Sequence, residues 1–331
     1  MKNNLRKINN NKKPRGGEGL VDIVEIGPFS ETTSASFSVD MVFGAVDGVD
    51  AGDNKQSTFD YQFNIGLTTS FTGEDGLDIG IDLSGSNGTT TMGQYLGVPT
   101  TDDTIGLDGL NLTYALGGAT VSINDNGDSR DLINGNCDDK SYTALTSYLD
   151  NWNCNVISGS TASGVGLGFT YNFDNGFTVA AGTTVKEDNV GESYGLSAAY
   201  ESDVYGLAVS YVIDDYTAAT VDNTTTWGVN GYYTFDAASL SVGYETQESG
   251  GIDKDGYFVG LSFPEVGPGS VNIGLATTEL SSSTDTEYLT YEASYSYPVN
   301  DGMTITPGVF IKETDSVDDV TGIVVKTSFS F

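Results

Sequence analysis

The chain has 331 residues, of which 18% are charged, with 43 Gly, 19 Tyr, 15 Phe and a net charge of −33. There is no apolar run of about 18 residues, so no transmembrane helix is available, and beyond residue 15 the chain carries 7 basic against 46 acidic residues, which makes nucleic acid an implausible partner. The absence of histidine removes imidazole both as a catalytic base and as a metal ligand.

Residues 1–30 read as a tail. Lys2, Arg6, Lys7, Lys12, Lys13 and Arg15 resemble the basic start of an export signal. The stretch that follows, Gly19 to Phe29, is broken by Asp22 and Glu25, so no recognisable signal peptide is expected. From there on, short segments alternate apolar and polar residues, the period of a strand with one oily and one wet face. The first is 35–46, with Phe37, Val39, Met41 and Phe43 on one face. In the second, 57–71, Phe59, Tyr61, Phe63, Ile65 and Leu67 alternate with Asp60, Gln62, Asn64 and Gly66. Further strands are expected at 77–85, 108–117, 119–125, 164–173, 176–186, 193–201, 204–213, 224–235 and 238–247. The last are 256–264, 269–278, 286–297, 302–312 and 322–331, about sixteen in all. The fold class is therefore all-β: a transmembrane antiparallel barrel over 31–331.

The connectors support this. Turn chemistry such as Gly73-Glu74-Asp75-Gly76, Gly117-Gly118, Asp174-Asn175-Gly176 and Asn300-Asp301-Gly302 marks seven tight turns. They alternate with eight longer connectors, 47–56, 86–107, 126–163, 187–192, 214–223, 248–255, 279–285 and 313–321. Tight turns at one rim and long loops at the other is a membrane-barrel arrangement. A β-solenoid or a stack of sandwich domains would repeat a motif at fixed period, and no motif recurs.

The longest connector, 126–163, is the third of the long loops. It holds both cysteines, Cys137 and Cys154, and a disulfide between them would rigidify it. Tyr142, Leu145, Tyr148 and Leu149 fall at helix-like spacing. The loop either folds into the lumen and sets the pore size or caps the barrel outside. The pattern Asn124, Asn126, Asp128 imitates the start of a calcium loop, but Ser129 and Gly135 occupy the positions that need Gly and Glu, so no metal site is expected.

The last strand reads TGIVVKTSFSF and alternates to the terminal Phe331. With the sixteen alternating strands and the long third loop, it resembles the Gram-negative outer-membrane porins, and the Tyr-, Gly- and Asp-Asn-Gly-rich hairpins look most like the cyanobacterial ones, here without their wall-anchoring domain. The resemblance covers 35–331. It implies an outer-membrane location, a water-filled channel for small hydrophilic solutes and inorganic ions, no enzymatic activity and no cofactor. It also implies outer-membrane lipids and the barrel-assembly machinery as partners, the latter reading Phe329 and Phe331, and a homotrimer.

Strand parity turns Asp40, Asp60, Gln62, Asn64, Asp78, Asp82, Asn111, Thr113, Asn230, Glu245 and Glu292 inward, with Lys312 and Lys326 as the inward cations. The residues expected to line the pore or its constriction are Asp125, Asp128, Arg130, Asp131, Asp138, Asp139 and Lys140 from the loop. From the wall they are Asp60, Asp82, Glu292 and Lys326. Many carboxylates facing few cations favour the passage of cations. Two alternatives stay open: a carbohydrate-type channel, in which Tyr142, Tyr148 and Trp152 could stack on sugars, and a plugged structural or adhesive barrel.

Overall fold

A computed structural model of the protein describes residues 33–48, 57–86, 92–98, 103–127, 132–133, 142–150, 152, 164–186, 191–217, 222–315 and 318–331. The wall begins with β1 (Thr33–Asp47), β2 (Ser57–Thr69), β3 (Asp75–Ser86), β4 (Gly106–Leu116), β5 (Ala119–Gly127) and β6 (Gly164–Asn172). It continues with β7 (Phe177–Lys186), β8 (Gly191–Glu201), β9 (Tyr205–Tyr216), β10 (Thr224–Thr234), β11 (Ser239–Ser249), β12 (Ile252–Val266) and β13 (Gly269–Thr277). A two-residue segment, β14 (Ser281–Ser282), prolongs the pairing with β12 beyond the end of β13. The wall is completed by β15 (Leu289–Asn300), β16 (Met303–Lys312) and β17 (Val320–Ser330). Each wall strand runs antiparallel to the next, and β17 pairs back onto β1, so sixteen strands close a barrel. The segments expected from alternation match these strands to within four residues at each end.

Burial is inverted relative to a soluble protein. Phe43, Val165, Leu167, Leu196, Leu207 and Ile323 are more than half exposed, and their neighbours on the other parity are buried and, apart from Val42 and Val324, small or polar. Ser84, Thr184, Ser193, Thr226 and Glu245 expose 1% or less. Lipid solvates the apolar outer face, and closure leaves no strand edge with unpaired backbone groups.

One of the expected long loops is a tight turn. Between β11 and β12 only Gly250 and Gly251 remain outside the ladder, at φ 59° and 78°. Two successive residues at positive φ form a turn whose twist matches the strands, which glycine adopts without strain, so the pairing runs from Ser239↔Ser262 to Ser249↔Ile252. The polar run on either side of the two glycines is strand that projects beyond the oily band.

The C-terminus is tied into the wall. Phe37 N–H donates to Phe331 O at 2.9 Å, and Phe331 N–H donates back to Phe37 O at 3.0 Å. The two rings stack at 5.7 Å on the outer face.

Candidate functional site

The barrel lumen is the candidate site, and its shape is set by two chain segments that turn inward. The first lies between β3 and β4 and contains the helical turn α1 (Met92–Tyr95). Inward-facing Thr58 and Asp60 of β2 hold it: Met92 N–H donates to Thr58 Oγ1 at 3.0 Å, and Gly93 N–H donates to Asp60 Oδ2 at 2.8 Å. Met92, Tyr95 and Val98 then bury themselves against Val42 and Val46 of β1, Phe310 of β16, and Val320 and Val324 of β17.

The second segment belongs to the long loop 126–163. Beyond the end of β5, its described residues pack against inward-facing residues of the wall, so the external-cap alternative does not hold for them. Leu132 and Ile133 rest on a track of inward glycines on β6, β7 and β8. A Cβ on Gly168 would come within 2.9 Å of Leu132, one on Gly182 within 2.7 Å of it, and one on Gly195 within 2.8 Å of Ile133. Ser197 Oγ donates to Ile133 O and fixes the contact. Further on, Tyr142 packs edge-on against Phe258 of β12 at 5.2 Å, over Gly260 and Gly274. Leu149, from the helical turn α2 (Ser147–Asp150), and Trp152 join the same cluster, and Trp152 Nε1 donates to Thr277 O at 3.4 Å.

A single carboxylate anchors this stretch. Glu292 on β15 is 4% exposed. Its Oε1 accepts from Tyr142 OH at 2.9 Å and Leu145 N–H at 2.7 Å. Its Oε2 accepts from Thr146 N–H at 2.8 Å and Thr146 Oγ1 at 2.6 Å. Four donors on one buried carboxylate are the condition under which a charge tolerates removal from water. The two inward segments also touch each other: Leu145 enters the cluster around Met92 and Tyr95, and Ser147 Oγ donates to Tyr95 O at 3.3 Å.

Of the residues expected to line the pore, Asp60, Asp82, Glu292 and Lys326 do face inward. Asp60 and Glu292 are covered by the segments they hold, so they act as anchors rather than as exposed charge. Asp82 is 8% exposed. Lys326 forms an ion pair with Asp40 across β1 and β17 at 3.1 Å. Asp125 is exposed and has the parity of outward-facing Ile123, but a register shift between Asn124 and Gly127 breaks the alternation there, and Asp125 borders an inward cavity. Asp128, Arg130, Asp131, Cys137, Asp138, Asp139, Lys140 and Cys154 lie outside the described residues. Phe329 and Phe331 both lie on the outward parity of β17, Phe329 opposite Val39 and Met303.

The aromatic rings proposed for sugar stacking are used in packing. Tyr142 and Trp152 are 1% and 3% exposed. Tyr148 packs against both apolar clusters, and Lys312 Nζ sits 5.3 Å from its ring centre. At the outer mouth, Tyr148, Lys254, Lys312, Glu279, Glu313 and Asp315 border a cavity of about 890 Å³. There Asp315 accepts a hydrogen bond from Tyr288 OH at 2.7 Å, which holds that phenol above its usual pKa.

Sequence reasoning missed the first inward segment and the inward aromatic Phe310. It also passed over a readable signal. Glycines recur on the inward parity at Gly166, Gly168, Gly182, Gly195, Gly260, Gly274 and Gly308, where a polar wall facing only water has no need of them. They trace the path of the loop, because only a bare backbone lets another chain approach so closely.

A closed sixteen-stranded barrel with an apolar outer face and inward loops is a membrane channel scaffold. The family model for the Gram-negative porin matches residues 34–318, and the chain belongs to that family. It is an outer-membrane protein of the passive-diffusion class, and family and fold point to a channel rather than an enzyme. Among solved structures it resembles OprB of Pseudomonas putida, at 15% identity and a TM-score of 0.68 over 91% of this chain and 94% of that one. It also resembles an anion-selective porin from Comamonas acidovorans, at 14% identity and a TM-score of 0.66 over 91% and 99%. A mutant of the Rhodopseudomonas blastica porin matches at 16% identity and a TM-score of 0.55 over 90% and 100%. At these identities the likeness is one of fold. A sequence comparison with curated proteins finds no match.

Proposed function

We propose that this porin is a cation-preferring diffusion channel in which the inward stretch of loop 126–163 forms the constriction. The observation that carries the reading is how the lumen's charges are engaged. Of the lysines whose side chains are described, Lys326 is paired with Asp40 and Lys312 lies over Tyr148, while Lys254 stands at the mouth. Asp78 and Asp108 are exposed toward the interior, beside the amides and hydroxyls of Asn111 and Ser122. A local excess of carboxylate raises cation concentration along the path, an effect that fades as salt shortens the screening length to about 3 Å at 1 M. The anion-selective neighbour from Comamonas acidovorans has the same fold, so the sign of selectivity rests on the lining and not on the barrel. The working form is expected to be a homotrimer in outer-membrane lipid, inserted by the barrel-assembly machinery through Phe329 and Phe331.

The test is the reversal potential of refolded protein in a planar bilayer under a KCl gradient. A cation-selective potential that weakens at high salt supports the reading, and an anion-selective one overturns it. Inserted barrels that pass no current favour the plugged alternative, to which the two inward apolar clusters would contribute.

A further inference from the structure

We infer that the cavity at the outer mouth is a binding station for short peptides with free ends, an assignment that does not depend on which small ion the channel prefers. The cavity, of about 890 Å³, lies among the outer ends of β12 and β16, the segment that carries β14, and Tyr148 of the inward loop. It has room for several residues of an extended peptide.

Two opposite charges border this space without meeting. Lys254, half-buried and on the inward parity of Phe258, makes no ion pair or side-chain hydrogen bond among the described residues, and neither does the exposed carboxylate of Glu279. Beyond residue 15 the chain carries 7 basic against 46 acidic residues, so a lysine without a carboxylate is against the odds of composition. The other carboxylates of the cavity are engaged. Glu313 accepts from Leu289 N–H at 2.9 Å and Tyr291 OH at 3.2 Å, Asp315 from Tyr288 OH at 2.7 Å, and Asp285 from Ser282 Oγ at 2.8 Å.

The backbone keeps the two charges apart. Lys254 is held opposite Ser282 by the pairing of β12 with β14, and the chain at Glu279 is pinned on one side by Thr278 N–H donating to Tyr288 O at 2.8 Å and on the other by Ser281 opposite Asp255. A ligand that satisfies both groups must carry an ammonium and a carboxylate at separate ends. A peptide does so, and each residue added lengthens it by up to about 3.3–3.6 Å. Between the charges the lining suits a peptide as well. Ser281 and Thr286 offer hydroxyls to its amide groups, and Tyr148 and Leu280, which pack on the buried cluster of Tyr142, Leu149 and Trp152, give its side chains an apolar surface. An inorganic ion would use one of the two charges and none of that surface.

The experiment is calorimetric titration of the refolded full chain in detergent micelles with trialanine, trialanine amide and N-acetyl-trialanine. The expected result is that trialanine binds and that capping either end weakens binding about tenfold, the size of one lost charge-assisted hydrogen bond. Lys254→Met should abolish the penalty for the amide cap alone, and Glu279→Gln the penalty for the acetyl cap alone. This matching of residue to peptide end is a result that a general disturbance of the mouth would not give. The gel shift between folded and heated forms reports that each variant has folded, and the capped peptides test the parent protein even if one variant does not fold. Free and capped peptides that bind alike, an absence of binding by all three, or end preferences that survive both substitutions overturn the station. Because binding is read without ion flow, none of these outcomes bears on the sign of the channel's selectivity, which the reversal potential decides.

Discussion

Replacing Glu292 by glutamine is the sharpest test of how the lumen is organised. The substitution keeps volume and shape but turns one of two acceptor oxygens into an NH₂ group. The amide oxygen can keep the pair of donors on one side, either Tyr142 OH with Leu145 N–H or both groups of Thr146. The NH₂ then faces the other pair, of which a hydroxyl can rotate away and a backbone N–H cannot. With one buried donor stranded and one charge-assisted bond lost, the docked state is weakened by about 2–4 kcal/mol, allowing for the relief of no longer burying a charge. That corresponds to a roughly 30- to 1,000-fold larger undocked population. Wall strands and turns are untouched, so the variant should insert normally. Two readouts follow: faster hydrogen exchange at the Leu145 and Thr146 amides, and new flicker or substates in single-channel records. If exchange at both amides and current noise match the parent protein, the carboxylate does not hold the loop, and the apolar cluster around Tyr142 and Leu149 does so alone.

Gly182→Leu places a side chain where Leu132 and Ile133 lie; overpacking of this kind costs about 1–3 kcal/mol, and single-channel conductance should change while the barrel's circular dichroism does not. Phe331→Ser removes the stack on Phe37, worth about 0.5–1.5 kcal/mol beyond its buried area, and should slow refolding into lipid, measured by the gel shift between folded and heated forms. Lys326→Gln breaks an ion pair whose partners are each about one-third exposed, so stability should change by less than about 1 kcal/mol in denaturant melts, and the reversal potential should move toward greater cation selectivity. Gly250→Val forces a branched residue to a φ of 59° and should lower the midpoint of urea unfolding, with Ser249→Val as the tolerated control.

The wall was legible because a membrane barrel writes its two faces into alternate residues. Phe59, Tyr61, Phe63 and Ile65 against Asp60, Gln62 and Asn64 give strand, register and facing at once. Where alternation breaks, legibility ends. Asp125 was read as pore-lining from its neighbourhood, and the register shift beside it changes where it points. The polar stretch 248–255 looked like a loop because strands that leave the oily band lose their apolar half. The lumen contents were harder still. Asp60 and Glu292 were recognised as inward, but nothing local in sequence separates a carboxylate facing water from one capped by a distant segment, 33 residues away at Asp60 and 146 at Glu292. Inward glycines carried that information, since a residue without a side chain on a polar wall implies that something else occupies the space.

The apolar cluster around Met92 has a bearing on how the barrel stays shut. Val42 and Val46 come from the first strand, Val320 and Val324 from the last, and Met92, Tyr95 and Leu145 bridge them from inside. On the opposite face Phe37 and Phe331 stack across the same junction. The pairing between β1 and β17 is thus clamped from both sides. Peeling it open sideways means breaking the ladder and exposing to water an inner cluster to which both inward segments contribute. The cylinder is therefore braced on both faces where its first and last strands meet, and the same contacts tie the wall's closure to the packing of the channel's interior.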